Sequence, residues 1–369
     1  MVSNDLKGKA IDYDQGKQNG KKRKRVCVGL SGGVDSSVTA ALLIQAGYDV
    51  IGVFIRGWEP PEEVVGRVCT WREDRREAMR VASLLGIPFF TLDLSCQYKQ
   101  EVVDNMIAEY RSGRTPNPDV LCNQKIKFGH FLNWSREVEA DLLATGHYAE
   151  IKDGKLYRGV DFGKDQSYWL WAIDQSVLNN LIFPLGELTK GQVRDLARKY
   201  NLPTAGKPDS QGLCFLGKIN VRDFLAHYID IEPGQVKDES GQVIGHHQGV
   251  SFYTIGQRHG FRLNRADGPW YVIKKDISNN VLIVSQNFKD HKEGCGQVYL
   301  KDLNWFEVPD PEKIYGAQVR YRSVPRLGKW DPLSGSFIFN FKQPDVTYGQ
   351  SLVVYDEDRV MGGGIMDEK

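Results

Sequence analysis

Long apolar runs are what this sequence most plainly lacks. No stretch of eighteen or more apolar residues occurs, so no membrane span is expected. The N-terminus has no apolar stretch ahead of its first turn residues that would read as a secretory leader. Cysteine is scarce, with six in 369 residues, no regular spacing and no Cys-x-x-Cys pair. That excludes a disulfide framework and removes the usual signature of a zinc or thioredoxin-like site. A reducing, cytoplasmic setting is expected, in which a cysteine set apart by its surroundings becomes a candidate for chemistry. Net charge is almost absent, at +1. Eight Lys/Arg and three Asp in residues 1–25 give that segment +5, so the remainder carries −4. Any nucleic acid would therefore meet local patches rather than a generally basic body. Internal repeats are missing too.

What is present is a soluble, globular composition, 41% hydrophobic and 26% charged, with length enough for two or three domains. Residues 1–25 end in Lys21-Lys22-Arg23-Lys24-Arg25 and read as a disordered basic tail. From Val26 short apolar runs alternate with helical patterns. Strands are expected at Val26–Leu30, Asp49–Ile55, Phe89–Leu94 and Asp141–Thr145. Helices are expected after the first strand, with Gly47 at its end, and at Glu73–Leu85, Glu101–Tyr110 and Lys125–Val138. That alternation predicts an α/β domain over 26–205, a parallel sheet with helices on both faces. Residues 206–280 are expected to form a small central domain with a helix near Val221–Tyr228. Residues 281–369 are expected to form a C-terminal β-barrel module. Short alternating runs at Trp270–Lys274, Val281–Val284, Ala317–Tyr321, Ser336–Phe341 and Ser351–Tyr355 support this β-rich reading, with turns at Asn279-Asn280 and Gly362–Gly364.

Between the first strand and its helix lies Ser31-Gly32-Gly33-Val34-Asp35-Ser36. A strand–turn–helix context aims backbone N–H groups and a helix N-terminus at an anion. Glycines without a Cβ let the chain come close to a phosphate. No Gly-Lys-Ser/Thr follows, so this is not a Walker A loop. Ser31 and Ser36 offer hydroxyl donors. Asp35 does not favour a bare phosphate, and its expected partner is a Mg²⁺ ion riding on pyrophosphate. The hexad resembles the PP-loop ATP pyrophosphatases, which adenylate an oxygen and release pyrophosphate.

Two cysteines have chemical surroundings. Cys122 follows Thr115-Pro116-Asn117-Pro118-Asp119, stiffened by two prolines. It is expected at the start of a helix bearing Lys125 and Lys127, a setting that lowers a thiol pKa. Asp119 is a candidate general acid or base. Cys214 sits between glycines in Asp209-Ser210-Gln211-Gly212-Leu213-Cys214. Two isolated loop cysteines fit sulfur transfer, one carrying a persulfide and the other resolving the disulfide. Cys27 and Cys96 read as packing residues.

The strings SGGVDSSV, GRTPNPDVLCN, IKFG, ATGHYA, KDQSYWL, DSQGLCFLG, YTIGQRHG, VRYRS and GQSLVVYD, in this order from residue 31 to 356, resemble the tRNA-specific 2-thiouridylase family. The resemblance implies that ATP binds at Gly29, Leu30, Ser31, Gly32, Gly33, Val34, Asp35 and Ser36, with Ile55 and Gly146. It implies Cys122 as nucleophile, Cys214 as persulfide carrier, and Asn117, Pro118 and Asp119 against the target base. It places tRNA contacts at His147, Lys164, Asp165, Gln166, Arg320, Tyr321 and Gln350. The implied reaction adenylates O2 of a wobble uridine and replaces it by sulfur. The implied partners are tRNA and a persulfide donor, a cysteine desulfurase or relay protein. Arg56 and Gly57 depart from the family pattern. Two alternatives stay open: another PP-loop adenylating synthetase or ligase, and a non-catalytic tRNA-binding relative.

Overall fold

The computed structural model describes residues 23–61, 71–209, 221–229, 232–265, 268–287, 295–343 and 346–368. The expected tail lies outside them through residue 22, and so does Cys214.

The first sheet takes β1 (Arg25–Gly29), β2 (Asp49–Arg56), β3 (Phe89–Asp93), β4 (Leu142–Ala144) and β7 (Leu181–Ile182) in the order β3-β2-β1-β4-β7. Every pairing is parallel. Val26, Cys27 and Val28 are completely buried, the unalternated pattern of a central strand covered on both faces. The helix Val34–Gln45 follows β1, and Gly47, at φ +91°, turns the chain beyond its end. The helix Trp71–Leu85 buries Ala78, Val81 and Ala82 at the expected spacing. The expected helix at Glu101–Tyr110 is the later part of one continuous helix through Ser95–Tyr98, Lys99–Val103 and Asp104–Arg111.

The next helix begins at Pro118 rather than Lys125. It runs through Pro118–Leu121, Cys122–Phe131 and Leu132–Glu137, and its middle stretch is π-wound. Pro118 can open a helix because its missing N–H is one the first turn does not use. Strand order reverses between β1 and β4, so the loops leaving these two strands meet at a switch point, where open α/β sheets form ligand crevices.

The second sheet contains β8 (Pro233–Lys237), β9 (Val243–Gln248), β10 (Arg262–Leu263), β11 (Tyr271–Asp276) and β12 (Val281–Ser285). The boundary expected at 280/281 falls on the turn between two paired strands of this sheet. We therefore place the end of the central domain after Ser285. The third sheet contains β13 (Cys295–Trp305), β14 (Tyr315–Gln318), β15 (Arg326–Asp331), β16 (Ser336–Gln343), β17 (Ser351–Asp356) and β18 (Arg359–Asp367). Pairing of β13 with both β16 and β18 closes these six strands into a barrel.

Two expectations change here. Gly362–Gly364 is not a turn but part of β18. A Cβ on Gly362 would lie 2.2 Å from the Asn304 carbonyl oxygen, and one on Gly363 would lie 2.3 Å from that of Leu352. The glycines permit the close approach of neighbouring strands. Likewise β14 stops at Gln318, because Ser323 N–H donates to Arg320 O at 3.1 Å and Arg322 adopts φ +61°. Arg320 and Tyr321 therefore stand in a turn.

The barrel docks on the first domain. A hairpin of β5 (Ala149–Lys152) and β6 (Lys155–Arg158) joins β18. Asn304 Nδ2 donates to Trp171 O and Ile173 O. Val353, Tyr355 and Val360 share one core with Cys122, Phe131 and Tyr168.

Candidate nucleotide and cysteine site

The loop after β1 is held by its own side chains. Ser31 N–H donates to Ser36 Oγ at 3.2 Å, while Ser36 Oγ and Ser37 Oγ donate to Gly33 O at 3.2 and 2.7 Å. The serine hydroxyls expected to face a ligand thus shape the loop. Gly32 has φ +75°, and a Cβ there would stand 2.3 Å from Asp74 O. Gly146, from the loop after β4, presses on the same turn: its Cβ would be 2.9 Å from Ser36 N and 3.0 Å from the Asp35 carbonyl carbon. The first N–H groups of the helix Val34–Gln45, which follows the loop, have no intrahelical acceptors, the feature of a helix start that suits an anion. Ile55 stands at the carboxyl end of β2, paired with Leu92. The structure thus brings Gly29 through Ser36, Ile55 and Gly146 to one end of the sheet.

Asp35 is engaged differently from the expectation. Its two oxygens accept from Lys190 Nζ at 2.7 and 2.8 Å, and Tyr148 Oη donates to Oδ1 at 2.8 Å. Among the described residues no group of three His, Cys, Asp or Glu is arranged to hold a metal ion. The Asp35 carboxylate is already engaged by an ammonium on both oxygens and a tyrosine hydroxyl on one, a setting that does not fit a Mg²⁺ ligand. Lys190 also reaches Asp209 Oδ1 at 3.0 Å, and Asp209 takes Lys164 and Arg194, each at 2.6 Å. Partial burial raises the Asp209 pKa, but the hydrogen bonds and charges of Lys164 and Lys190 outweigh it and bring it to about 2. Lys207 Nζ donates to Gly32 O at 2.9 Å and Asp74 Oδ1 at 2.6 Å.

Cys122 lies in the second turn of its helix and is buried, not presented by a rigid turn. Burial dominates and pushes its thiol up, while Lys127 and a Tyr98 hydrogen bond pull it down and Asp119 raises it. Burial therefore reverses the expected lowering, and the helix starts one turn earlier than Cys122. Asp119 and Cys122, three residues apart, share a helix face. Asn117 and Pro118 are buried beside them. A Cβ on Gly29 would touch Phe131 at 3.4 Å, so the cysteine helix packs at the base of the phosphate loop.

The residues expected on an RNA-facing surface divide. His147 is buried between Phe128 and Phe183, with Nδ1 2.7 Å from Thr145 Oγ1. Burial, then Lys127, holds its pKa well below the ordinary value, so the ring is neutral. Asp165 is buried, accepting from Arg158 at 3.2 Å and from the Gly159 and Ser167 N–H groups at 3.1 Å. Gln166 accepts from Tyr148 N–H at 3.0 Å. Gln350 Nε2 donates to Thr115 O at 3.0 Å and Pro116 O at 2.9 Å, bracing the segment that leads to Cys122. Arg320 is exposed, and half-buried Tyr321 packs on Trp169 with ring centroids 4.7 Å apart.

Sequence reasoning passed over Lys190 and Lys207, and named Asp209 only as the start of the Cys214 motif. One signal was legible: Thr189-Lys190-Gly191-Gln192 is a capping box, which the structure forms, and it sets Lys190 at the first helical position.

Comparison with known proteins agrees with this architecture. Family models described as tRNA methyl transferase HUP domain, tRNA methyl transferase PRC-barrel domain and aminomethyltransferase beta-barrel domain match residues 24–218, 222–286 and 296–366. A protein named tRNA-specific 2-thiouridylase MnmA from Geobacillus thermodenitrificans is 43% identical over 354 residues, covering 93% of this chain and 95% of that one. One of the same name from Burkholderia ambifaria is 42% identical, covering 94% and 93%.

Proposed function

The chain belongs to the tRNA-specific 2-thiouridylase family, and from that premise we propose that it replaces O2 of a tRNA uridine with sulfur at the expense of ATP. One observation carries the reading: the phosphate loop is locked against Gly146 while the helix bearing Asp119 and Cys122 packs at its base. The words methyl transferase in the domain descriptions name a different chemistry, but paired cysteines and an anion loop suit activation and sulfur delivery.

In the proposed sequence the uracil O2 attacks the α-phosphorus of ATP, and pyrophosphate leaves toward the N-terminus of the helix Val34–Gln45, whose N–H groups stabilise it. The terminal sulfur of a Cys214 persulfide then adds to C2, and AMP departs with the original oxygen. Cys122 thiolate attacks Cys214 Sγ, the S–S bond to the transferred sulfur breaks, and 2-thiouridine remains with a Cys122–Cys214 disulfide. A thiol reductant supplies two electrons to restore both cysteines. Because burial disfavours the Cys122 thiolate, we assign Asp119, three residues before it on the same helix, to take its proton. The target base must leave its stack to reach this pocket. Arg320 and Tyr321 would meet tRNA directly, and Lys164 would do so on leaving Asp209. His147, Asp165 and Gln166 support the site from behind. Magnesium would enter on the phosphates of ATP, and a persulfide-bearing protein would load Cys214. The reading is tested by nucleoside mass analysis of tRNA treated with the protein, ATP, Mg²⁺, a persulfide donor and a thiol reductant; no 2-thiouridine would refute it.

A further inference from the structure

Two lysines outside the recognised motifs stand on the phosphate loop. Lys190 Nζ contacts both Asp35 oxygens and one of Asp209, and its side chain is 12% exposed. Its backbone is fixed as well: Lys190 N–H donates to Asp161 Oδ2 at 2.8 Å, and the Thr189–Gln192 capping box sets the helix start. Lys207 Nζ contacts Gly32 O and Asp74. One ammonium is therefore held at each of two points on the loop.

The charge balance shows what they are for. A polyphosphate brings several negative charges to a loop that itself carries a carboxylate, Asp35. The helix terminus offers about half a positive charge, too little to offset both. An ammonium has three donors. Those of Lys190 are now directed at carboxylate oxygens that a more highly charged, oxygen-rich group can replace. Asp35, with Lys190 on both oxygens and Tyr148 on one, is arranged to aim the lysine.

We propose that Lys190 and Lys207 bind the pyrophosphate portion of ATP, and that Asp35 positions Lys190 instead of ligating a metal. The proposal rests on the nucleotide reading above and adds the residues that hold the leaving group.

The test is calorimetric binding of inorganic pyrophosphate to the full chain in EDTA, and of ATP with and without Mg²⁺. Wild type is expected to bind pyrophosphate without a divalent ion. Lys190→Met and Lys207→Met should each weaken this by about 10–100-fold, the loss of one charge-assisted contact. Lys190→Arg should retain most of it, and Lys207→Met carries the test if Lys190→Met fails to fold. Asp35→Asn should keep the Mg²⁺ dependence of ATP binding seen in wild type. Wild-type affinity in both methionine variants would overturn the proposal. So would pyrophosphate binding that requires Mg²⁺, or loss of the Mg²⁺ dependence in Asp35→Asn. Wild type that binds neither ATP nor pyrophosphate under any condition would overturn the nucleotide reading itself.

Discussion

Gln350→Met separates a strut from an RNA contact. Gln350 reaches from the barrel to the carbonyls of Thr115 and Pro116, just before the Asn117–Cys122 segment. Methionine keeps the length of the side chain and removes both donors. Each bond contributes about 1 kcal/mol net, so the local structure should lose about 2 kcal/mol, or roughly 30-fold in its opening equilibrium. The Thr115 amide reports this directly, because it donates to Tyr348 O at 3.0 Å in the same contact. Hydrogen exchange of free protein, without tRNA, should therefore quicken about 30-fold at Thr115. The amides of β1, paired within the first sheet, should keep their wild-type rates. If exchange at Thr115 is unchanged while tRNA affinity falls, Gln350 acts on RNA and the bracing role is wrong.

Gly146→Ala adds a Cβ 2.9 Å from Ser36 N, so backbone must shift; the melting temperature should fall, and ATP affinity measured where the variant is folded should fall at least about tenfold, whereas normal affinity would show the crevice to be looser than described. Lys275 Nζ donates to Gly113 O at 2.5 Å, and burial lowers its pKa from 10.5 to about 8. Between those values the unfolded chain binds a proton the folded one does not, so this group adds stability as pH rises from about 8 to 10.5, by at most about 3 kcal/mol. Urea midpoints of wild type relative to Lys275→Met should rise across that window and run parallel below it; parallel curves throughout would contradict the burial.

The doubly wound sheet was legible because its signals are local. Val26–Val28 is an uninterrupted apolar run, and Ala78, Val81 and Ala82 recur at helical spacing. The start of the Cys122 helix was not legible, because two prolines read as a breaker, yet Pro118 occupies the one helical position that tolerates it. The burial of Cys122, His147 and Asp165 depends on the barrel strands and aromatic rings packed around them, long-range contacts that no short window contains. The PP-loop motif pointed to the proposed phosphate site but not to the lysines on that loop, which come from residues 190 and 207. Cys214 lies outside the described residues, so its role rests on the motif around it and on the family.

The most direct measurement is 2-thiouridine formed by purified protein on unmodified tRNA, with ATP, Mg²⁺, a persulfide donor and a thiol reductant, for wild type, Cys122→Ser and Cys214→Ser. The account predicts 2-thiouridine with wild type, none above background with either variant, and intact folding of both. Wild-type yield from Cys122→Ser would contradict it.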